Sequence, residues 1–278
     1  MNDTMKASTL KVPGATLYYE VRGQGPLLLI IPGGPQDAGV FDELAGRLAD
    51  RYRVVAFDPR GNSRSSFDGD EQPLEVDVHA DDAAALIEAL GGGPANVFGT
   101  SGGAQIGLNL AVRHPQLVTT LVAHEPPTVL LLDDPATEIA ADQALIDTYR
   151  RDGVEAAMGQ FFAMNGLGDE TEAPPEMEMP PEAMETFARV SGNFEYWLAG
   201  GMVALDRYVP DVAALKSGTP RIVVAIGAQS HGQPIEAMGT ALAQVLDVVP
   251  TAFPGDHMGF EAHAEAFAET LHRTIAEN

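Results

Sequence analysis

Gly99-Thr100-Ser101-Gly102-Gly103 is the stretch on which the reading of this chain turns. Asn96 and Val97 lead an apolar strand into it, and Gln105 to Val112 follows with helical spacing. The pentapeptide therefore matches G-x-S-x-G between a strand and a helix, the setting in which that pattern presents a nucleophile. The chemistry accounts for the glycines. The serine must sit on a tight, strained turn so that its hydroxyl projects above a sheet, and side chains at the flanking positions would collide with nearby backbone. The helix that follows points its N-terminal amides at the same spot and favours negative charge there. A plain strand-to-helix turn, with Ser101 as a helix cap, is the simpler alternative.

Working outward, strands alternate with helices. Thr9 to Val12 and Leu17 to Val21 predict a hairpin, and Leu27 to Ile31 a strand buried on both faces. Val40 to Leu48 has helical spacing, and Val54 to Phe57 reads as a buried strand. Val76 to Leu90 predicts a helix ended by Gly91, Gly92 and Gly93. Val118 to Ala123 is a further strand. The pattern resumes with strand Arg221 to Ile226, helix Ile235 to Leu246, strand Val248 to Phe253 and helix Ala262 to Ile275. Such alternation predicts an α/β fold with a mostly parallel sheet covered on both faces.

Between the halves, residues 128–217 predict an inserted helical cap, leaving 1–127 and 218–278 as the core. Asp169 to Glu185 holds seven acids, four prolines and no Lys or Arg, and reads as a solvated loop or a mobile lid. A cap is favoured because a continuing sheet supplies a rigid platform beneath it.

Composition narrows the function classes. The 278 residues suffice for one catalytic domain with an insertion. The net charge of −24 repels phosphate backbones and anionic lipid, so nucleic-acid and membrane-surface roles are disfavoured and a neutral small molecule suits the surface better. The apolar runs are strand-sized, and the polar N-terminus lacks a secretory core, so a cytoplasmic protein is expected. The absence of cysteine excludes disulfides, thiol catalysis and thiolate metal sites. The histidines have no zinc-type spacing, and no metal or organic cofactor is expected. A monomer and a homodimer fit equally.

Two further motifs flank the serine turn. Pro32-Gly33-Gly34-Pro35 follows the Leu27 strand and can present the Gly34 amide to an oxyanion, with Gly102 as the second donor. Pro254-Gly255-Asp256-His257-Met258-Gly259 follows the last strand. Of seven histidines, only His257 combines a preceding strand, a glycine turn and a following helix. A capping or surface histidine is the bland alternative.

These segments, with Phe57-Asp58-Pro59-Arg60-Gly61-Asn62-Ser63-Arg64-Ser65, resemble the α/β-hydrolase superfamily over essentially the whole length. Asp58 to Ser65 is similar to the family's D-x-R-G-x-G-x-S turn but carries Ser63 at the second glycine. The resemblance implies a Ser101 nucleophile and a His257 general base. It also puts the acid after the strand that follows the cap, where Ile226-Gly227-Ala228-Gln229-Ser230-His231-Gly232 offers no carboxylate. Asp256 is too close in sequence to His257, and Asp58 suits only a loop-structuring role.

Glu125, after the Val118 strand, is the best remaining acid. Neighbouring parallel strands lie about 4.8 Å apart, so its loop can reach the same histidine, and glutamate adds a methylene of span. The zearalenone lactonases are similar in placing a Glu there. The other reading has Glu125 anchoring the entry to the cap. Trp197, the only tryptophan, lies in the insertion with Tyr196 and Met202 nearby, a set that suits a pocket for a flat apolar molecule. Lactonases similar in acid placement use a cap tryptophan in this way, although packing of the cap alone is the simpler account.

The expected chemistry is acyl transfer through an acyl-enzyme, on an ester or lactone. Carbon–carbon bond hydrolysis and cofactor-free perhydrolysis remain open on the same scaffold, as does a non-catalytic binding protein, for which the bare loop after Ile226 is the best argument. Epoxide and haloalkane chemistry is disfavoured, because those relatives carry Asp where this chain has Ser101.

Overall fold

The computed structural model describes residues 5–91, 93–164 and 180–277. Strands β1 (Lys6–Val12) and β2 (Ala15–Arg22) form the opening hairpin, turned at Gly14 with φ of 79°. Strands β3 (Leu27–Ile31), β4 (Arg53–Phe57), β5 (Ser66–Phe67), β6 (Ala95–Thr100), β7 (Val118–His124), β8 (Arg221–Gly227) and β9 (Thr251–Phe253) complete one sheet. The order is β1-β2-β4-β3-β6-β7-β8-β9, parallel from β4 to β9 and antiparallel at the hairpin, with β5 paired to β2.

Both faces of the sheet are buried, which explains why β3 reads as an unbroken apolar run. Leu29 and Ile31 face helices α2 (Val76–Leu90) and α3 (Gly102–Arg113), packing with Leu86, Ile87, Ile106 and Leu110. Leu28 and Ile30 face the other way, joining Phe41 and Leu44 near α1 (Asp42–Leu48) with Phe267 and Leu271 from α12 (Ala264–Ala276). Alternate residues of a strand point to opposite faces, so a two-sided core needs every position apolar. The mostly parallel sheet flanked by helices is the fold class the alternation predicted.

The insertion between β7 and β8 holds α4 (Ala136–Asp152), α5 (Val154–Met164), α6 (Pro181–Gly192), α7 (Phe194–Tyr196), α8 (Met202–Asp206) and α9 (Val212–Ser217). A π-type turn, Trp197–Gly201, joins α7 to α8. Leu145, Ile146, Ala157, Met158, Trp197, Leu198 and Met202 form a separate apolar cluster. The ends of the insertion belong elsewhere. Leu215 of α9 joins the sheet core, and Thr128 Oγ1 donates to the Met238 carbonyl at 3.0 Å on α10 (Pro234–Leu246).

Some boundaries differ from the sequence expectation. The last strand starts at Thr251 rather than Val248, because Pro250 has no N–H to give a ladder and Val249 is 88% exposed. The closing helix is broken at His263 into α11 (Gly259–Ala262) and α12. Of the expected acidic loop Asp169 to Glu185, 169–179 lie outside the described residues. Glu182 and Glu185 sit on α6, whose first position, Pro181, is where a proline suits a helix start. No helix among the described residues is long and apolar enough to cross a membrane.

Candidate active site

Ser101 occupies the sharp turn between β6 and α3 at φ 54° and ψ −128°, outside the regions an L-residue prefers. Its neighbours must be glycine. A Cβ on Gly99 would lie 2.4 Å from the Gly103 carbonyl oxygen, and one on Gly103 would lie 2.2 Å from that of Ile31. The Ser101 side chain makes no capping bond to α3, so the helix-cap alternative does not describe it. The first amides of α3 have no partner within the helix, and Gly102 begins that turn.

The loop after β3 wraps this elbow. A Cβ on Gly33 would stand 2.8 Å from Ser101 Cβ, and one on Gly102 would stand 3.4 Å from the Gly34 amide nitrogen. The amide of Gly33 already donates to Gln36 Oε1 at 2.9 Å, whereas that of Gly34 faces Gly102. The turn after β4 holds this loop in place. Asn62 Nδ2 donates to the carbonyls of Gly34 at 3.1 Å and Gln36 at 3.0 Å. Buried Asp58 accepts from the Ala38 amide at 3.0 Å and from the Arg64 guanidinium, the loop-structuring role expected of it. Arg60 forms a buried pair with Asp82 of α2.

Ser63, at the family's second glycine position, has a φ of 48°. Its amide donates to Asn193 Oδ1 at 2.7 Å, and its hydroxyl accepts from Asn193 Nδ2 at 2.9 Å. That same Nδ2 donates to the Pro35 carbonyl at 2.8 Å. Asn193, buried at the start of α7, thus ties the insertion to both loops, and the Ser63 hydroxyl gives the departure from glycine a structural use.

Glu125 and His257 meet. Glu125 Oε2 is 2.7 Å from His257 Nδ1, and its Oε1 accepts the Gly227 amide at 2.8 Å. The side chain therefore starts after β7, rests on the end of β8 and reaches the loop after β9. Glycine at 227 permits the crossing, since a Cβ there would lie 2.8 Å from the Gly255 carbonyl oxygen. Glu125 is fully buried and takes φ 46°, with its own amide donating to the Ala225 carbonyl. Burial pushes its pKa up, but the His257 hydrogen bond and the two nearby imidazoles outweigh it and hold the carboxyl at about 2. Asp256 caps its own turn by accepting the Met258 amide and takes no part in the pair.

His124 lies beneath, with its ring 6.2 Å from that of His257 and inclined by 23°. Burial among Phe98, Phe253, Phe260 and Phe267 lowers its pKa to about 4, so it is neutral near pH 7; Nδ1 is 3.0 Å from Thr100 Oγ1.

The three expected residues of the insertion separate. Trp197 is 6% exposed, packs edge-on to Phe161 at 4.9 Å, and carries its indole Nε1 3.1 Å from where a Gly34 Cβ would stand. Tyr196 spends its hydroxyl on the Gln72 carbonyl at 2.9 Å and offers its ring beside Gly61. Met202 packs in the insertion's own cluster with Trp197 and Leu198. Sequence reasoning missed Asn193 and His124. Ser63 standing in a glycine position was the one available signal, and it pointed to a compensating contact.

A family model described as the alpha/beta hydrolase fold matches residues 26–197, more than half of the chain. The chain is 34% identical over 273 residues to a hydrolase of Bacillus subtilis (strain 168), YraK, covering 97% of this chain and 96% of that one. It is 26% identical over 287 residues to the zearalenone hydrolase of Bionectria ochroleuca, covering 98% of each. Among solved structures, a hydrolase from Pseudomonas aeruginosa PA01 superposes with a TM-score of 0.74 at 20% identity, covering 97% of this chain and 98% of that one, a likeness of fold. With the elbow, the glycine loop and the doubly covered sheet already in place, these matches establish that the chain belongs to the α/β-hydrolase fold family.

Proposed function

We propose that this protein hydrolyses a carboxylic ester or lactone of a neutral, largely apolar small molecule through Ser101, His257 and Glu125. The observation that carries the reading is the 2.7 Å contact between Glu125 Oε2 and His257 Nδ1, made from the loop after β7. An ionised, buried carboxylate at Nδ1 fixes the proton there and leaves Nε2 as an acceptor, which is what a general base for Ser101 requires. The reading of a non-catalytic binding protein rested on the bare loop after β8, and Glu125 weakens that ground.

The steps follow from these roles. His257 takes the Ser101 proton as Oγ attacks the carbonyl carbon. The amides of Gly34 and Gly102 hold the oxyanion. His257 protonates the leaving alcohol oxygen, and the C–O bond breaks to give the acyl-enzyme. Water then gives its proton to His257 and attacks the acyl carbon, and His257 returns that proton to Ser101 Oγ as the acyl C–O bond breaks, releasing acid and free serine. Residues 128–217 act as the cap, with Trp197 against Gly34 and the ring of Tyr196 beside Gly61. The likeness to the zearalenone hydrolase of Bionectria ochroleuca favours a lactone substrate.

The test is turnover of zearalenone and of 4-nitrophenyl butyrate, with Ser101→Ala as the control. Hydrolysis of either that vanishes in the control supports a serine hydrolase, and lactone turnover supports the finer reading. Failure of both moves the assignment to carbon–carbon bond hydrolysis or ligand binding.

A further inference from the structure

The loop that carries Gly34 is gripped from two sides, residue by residue. From the core, Asn62 Nδ2 donates to the carbonyls of Gly34 at 3.1 Å and Gln36 at 3.0 Å. The insertion takes the residues between and beyond. Asn193 Nδ2 donates to the Pro35 carbonyl at 2.8 Å, and Arg189 Nε donates to Asp37 Oδ2 at 2.7 Å. Four consecutive residues are therefore anchored, and a shift at Asp37 reaches Gly34 through three peptide units.

Asp37 depends on the insertion. It is fully buried, and its Oδ1 accepts the Gly39 amide at 2.8 Å, which caps the 3-10 turn Ala38–Phe41. Arg189 is the only side chain among the described residues that hydrogen-bonds its carboxylate. Arg64 stands 3.9 Å away and spends its guanidinium on Asp58 and Glu20. Gly39 leaves room for the crossing, since a Cβ there would come within 2.6 Å of both Arg189 Nη2 and Thr186 Oγ1.

The helix that brings Arg189 has little else to hold it. α6 has no buried residue; Met184 and Phe187 are 57% and 63% exposed, and Thr186, Arg189 and Val190 are only half-buried. Most surface helices are held by an apolar face. Here that task falls to an ion pair whose acid is buried. A buried carboxylate that loses its partner is strongly disfavoured and moves toward water, and Asp37 would carry the loop with it.

We propose that Arg189 is a positioning residue for the oxyanion hole: through Asp37 it fixes the loop that aims the Gly34 amide, so that seating of α6 and assembly of the hole are one event. This rests on the ester-hydrolase reading for what the Gly34 amide does. Arg189 acts through the loop and not on the substrate. Its loss therefore lowers kcat and leaves KM nearly unchanged, whereas a residue that only binds substrate changes KM.

The test uses the full chain and two variants. Arg189→Met keeps the apolar stem and removes the guanidinium. Asp37→Asn combined with Arg189→Met also removes the charge that the first variant strands, and Asn still caps the turn, so folding carries no unpaired buried carboxylate. Hydrolysis of 4-nitrophenyl butyrate is expected to show kcat about 10- to 100-fold lower in both, with KM within about threefold, because a displaced oxyanion donor costs less than an absent one. The trifluoromethyl ketone 3-octylthio-1,1,1-trifluoropropan-2-one reports the hole separately. Ser101 Oγ adds to its carbonyl carbon, His257 takes the serine proton, and the new oxyanion faces Gly34 and Gly102, so its inhibition constant should rise by the same factor. Hydrogen–deuterium exchange across residues 32–40 should quicken in both variants relative to the strands of the sheet. A kcat within about threefold of wild type in the double variant, a change confined to KM, an unchanged inhibition constant or unchanged exchange would each overturn the proposal. Wild-type protein that turns over neither 4-nitrophenyl butyrate nor zearalenone would instead overturn the hydrolase reading; quickened exchange would then still support the tether, and unchanged exchange would overturn it.

Discussion

Replacing Glu125 by Gln keeps the volume of the side chain and removes its charge, which isolates what the carboxylate does. Both oxygens of Glu125 are engaged, Oε1 by the Gly227 amide at 2.8 Å and Oε2 by His257 Nδ1 at 2.7 Å. The Gly227 amide can only donate, so the Gln carbonyl oxygen is claimed by it and the NH2 is left facing Nδ1. That nitrogen must then accept, the proton moves to Nε2, and the imidazole presents a donor where the serine needs an acceptor. Flipping the amide restores the tautomer but sets NH2 against N–H in a fully buried site, at a cost of about 1–3 kcal/mol. The same acid-to-amide change in a serine-protease triad lowers kcat about 10⁴-fold through the wrong tautomer. A loss of about 10³ to 10⁴ in kcat is therefore expected here, with KM little changed. The assay is steady-state hydrolysis of 4-nitrophenyl butyrate, beside near-ultraviolet circular dichroism to show an intact fold. A folded Glu125→Gln protein with kcat within tenfold of wild type would refute the reasoning and reduce Glu125 to an anchor between β7 and β8.

Acid stability should follow the same carboxylate. Its folded pKa of about 2 lies below the ordinary 4.5, so its contribution is present above pH 4.5 and is lost as the pH falls through 2; about 2.5 units at 1.36 kcal/mol each is roughly 3 kcal/mol. Urea unfolding from pH 6 to 2 should show a steeper decline in wild type than in Glu125→Gln, and parallel curves would contradict it. Asn193→Ala strands the Ser63 amide and the Pro35 carbonyl and should cost about 1–3 kcal/mol in urea unfolding. Ser63→Gly should be nearly neutral, because relief of a left-handed backbone offsets one lost hydrogen bond of about 1 kcal/mol; a loss above about 2 kcal/mol would show that the backbone is unstrained there. Gly103→Ala drives a Cβ into the Ile31 carbonyl, and soluble, fully active enzyme from that variant would contradict the packing of the elbow.

The sheet was legible in the sequence because it is made of local signals. Val76–Leu90 falls where the spacing predicts it, and β3 announces its two-sided burial by having no polar residue. The elbow and the glycine loop were legible for the same reason, since steric demands around Ser101 are met by neighbours in the chain. The contact of Glu125 with His257 spans 132 residues and depends on β8 lying between β7 and β9. The sequence offered Glu125 as a carboxylate in reach. It did not reveal that Gly227 supplies the ledge on which the side chain crosses.

Strain marks the same places. Four described residues other than glycine take positive φ: Ser63, Ser101, Glu125 and Asp247. Asp247 is an ordinary left-handed cap at the end of α10. The other three ring the candidate site, and each is held by a contact from a distant part of the chain: Asn193 for Ser63, the Ile31–Gly33 backbone for the Ser101 turn, Ala225 and Gly227 for Glu125. A left-handed residue with a side chain costs about 1–2 kcal/mol, and it persists only where surrounding structure over-determines it. Three such residues converging on one end of the sheet therefore argue for a preorganised site independently of any motif. The same convergence accounts for the two departures from the family pattern. A serine stands in the glycine position at 63 where the insertion supplies Asn193 to hold it, and a carboxylate from the loop after β7 reaches His257 where Gly227, at the end of β8, offers its amide.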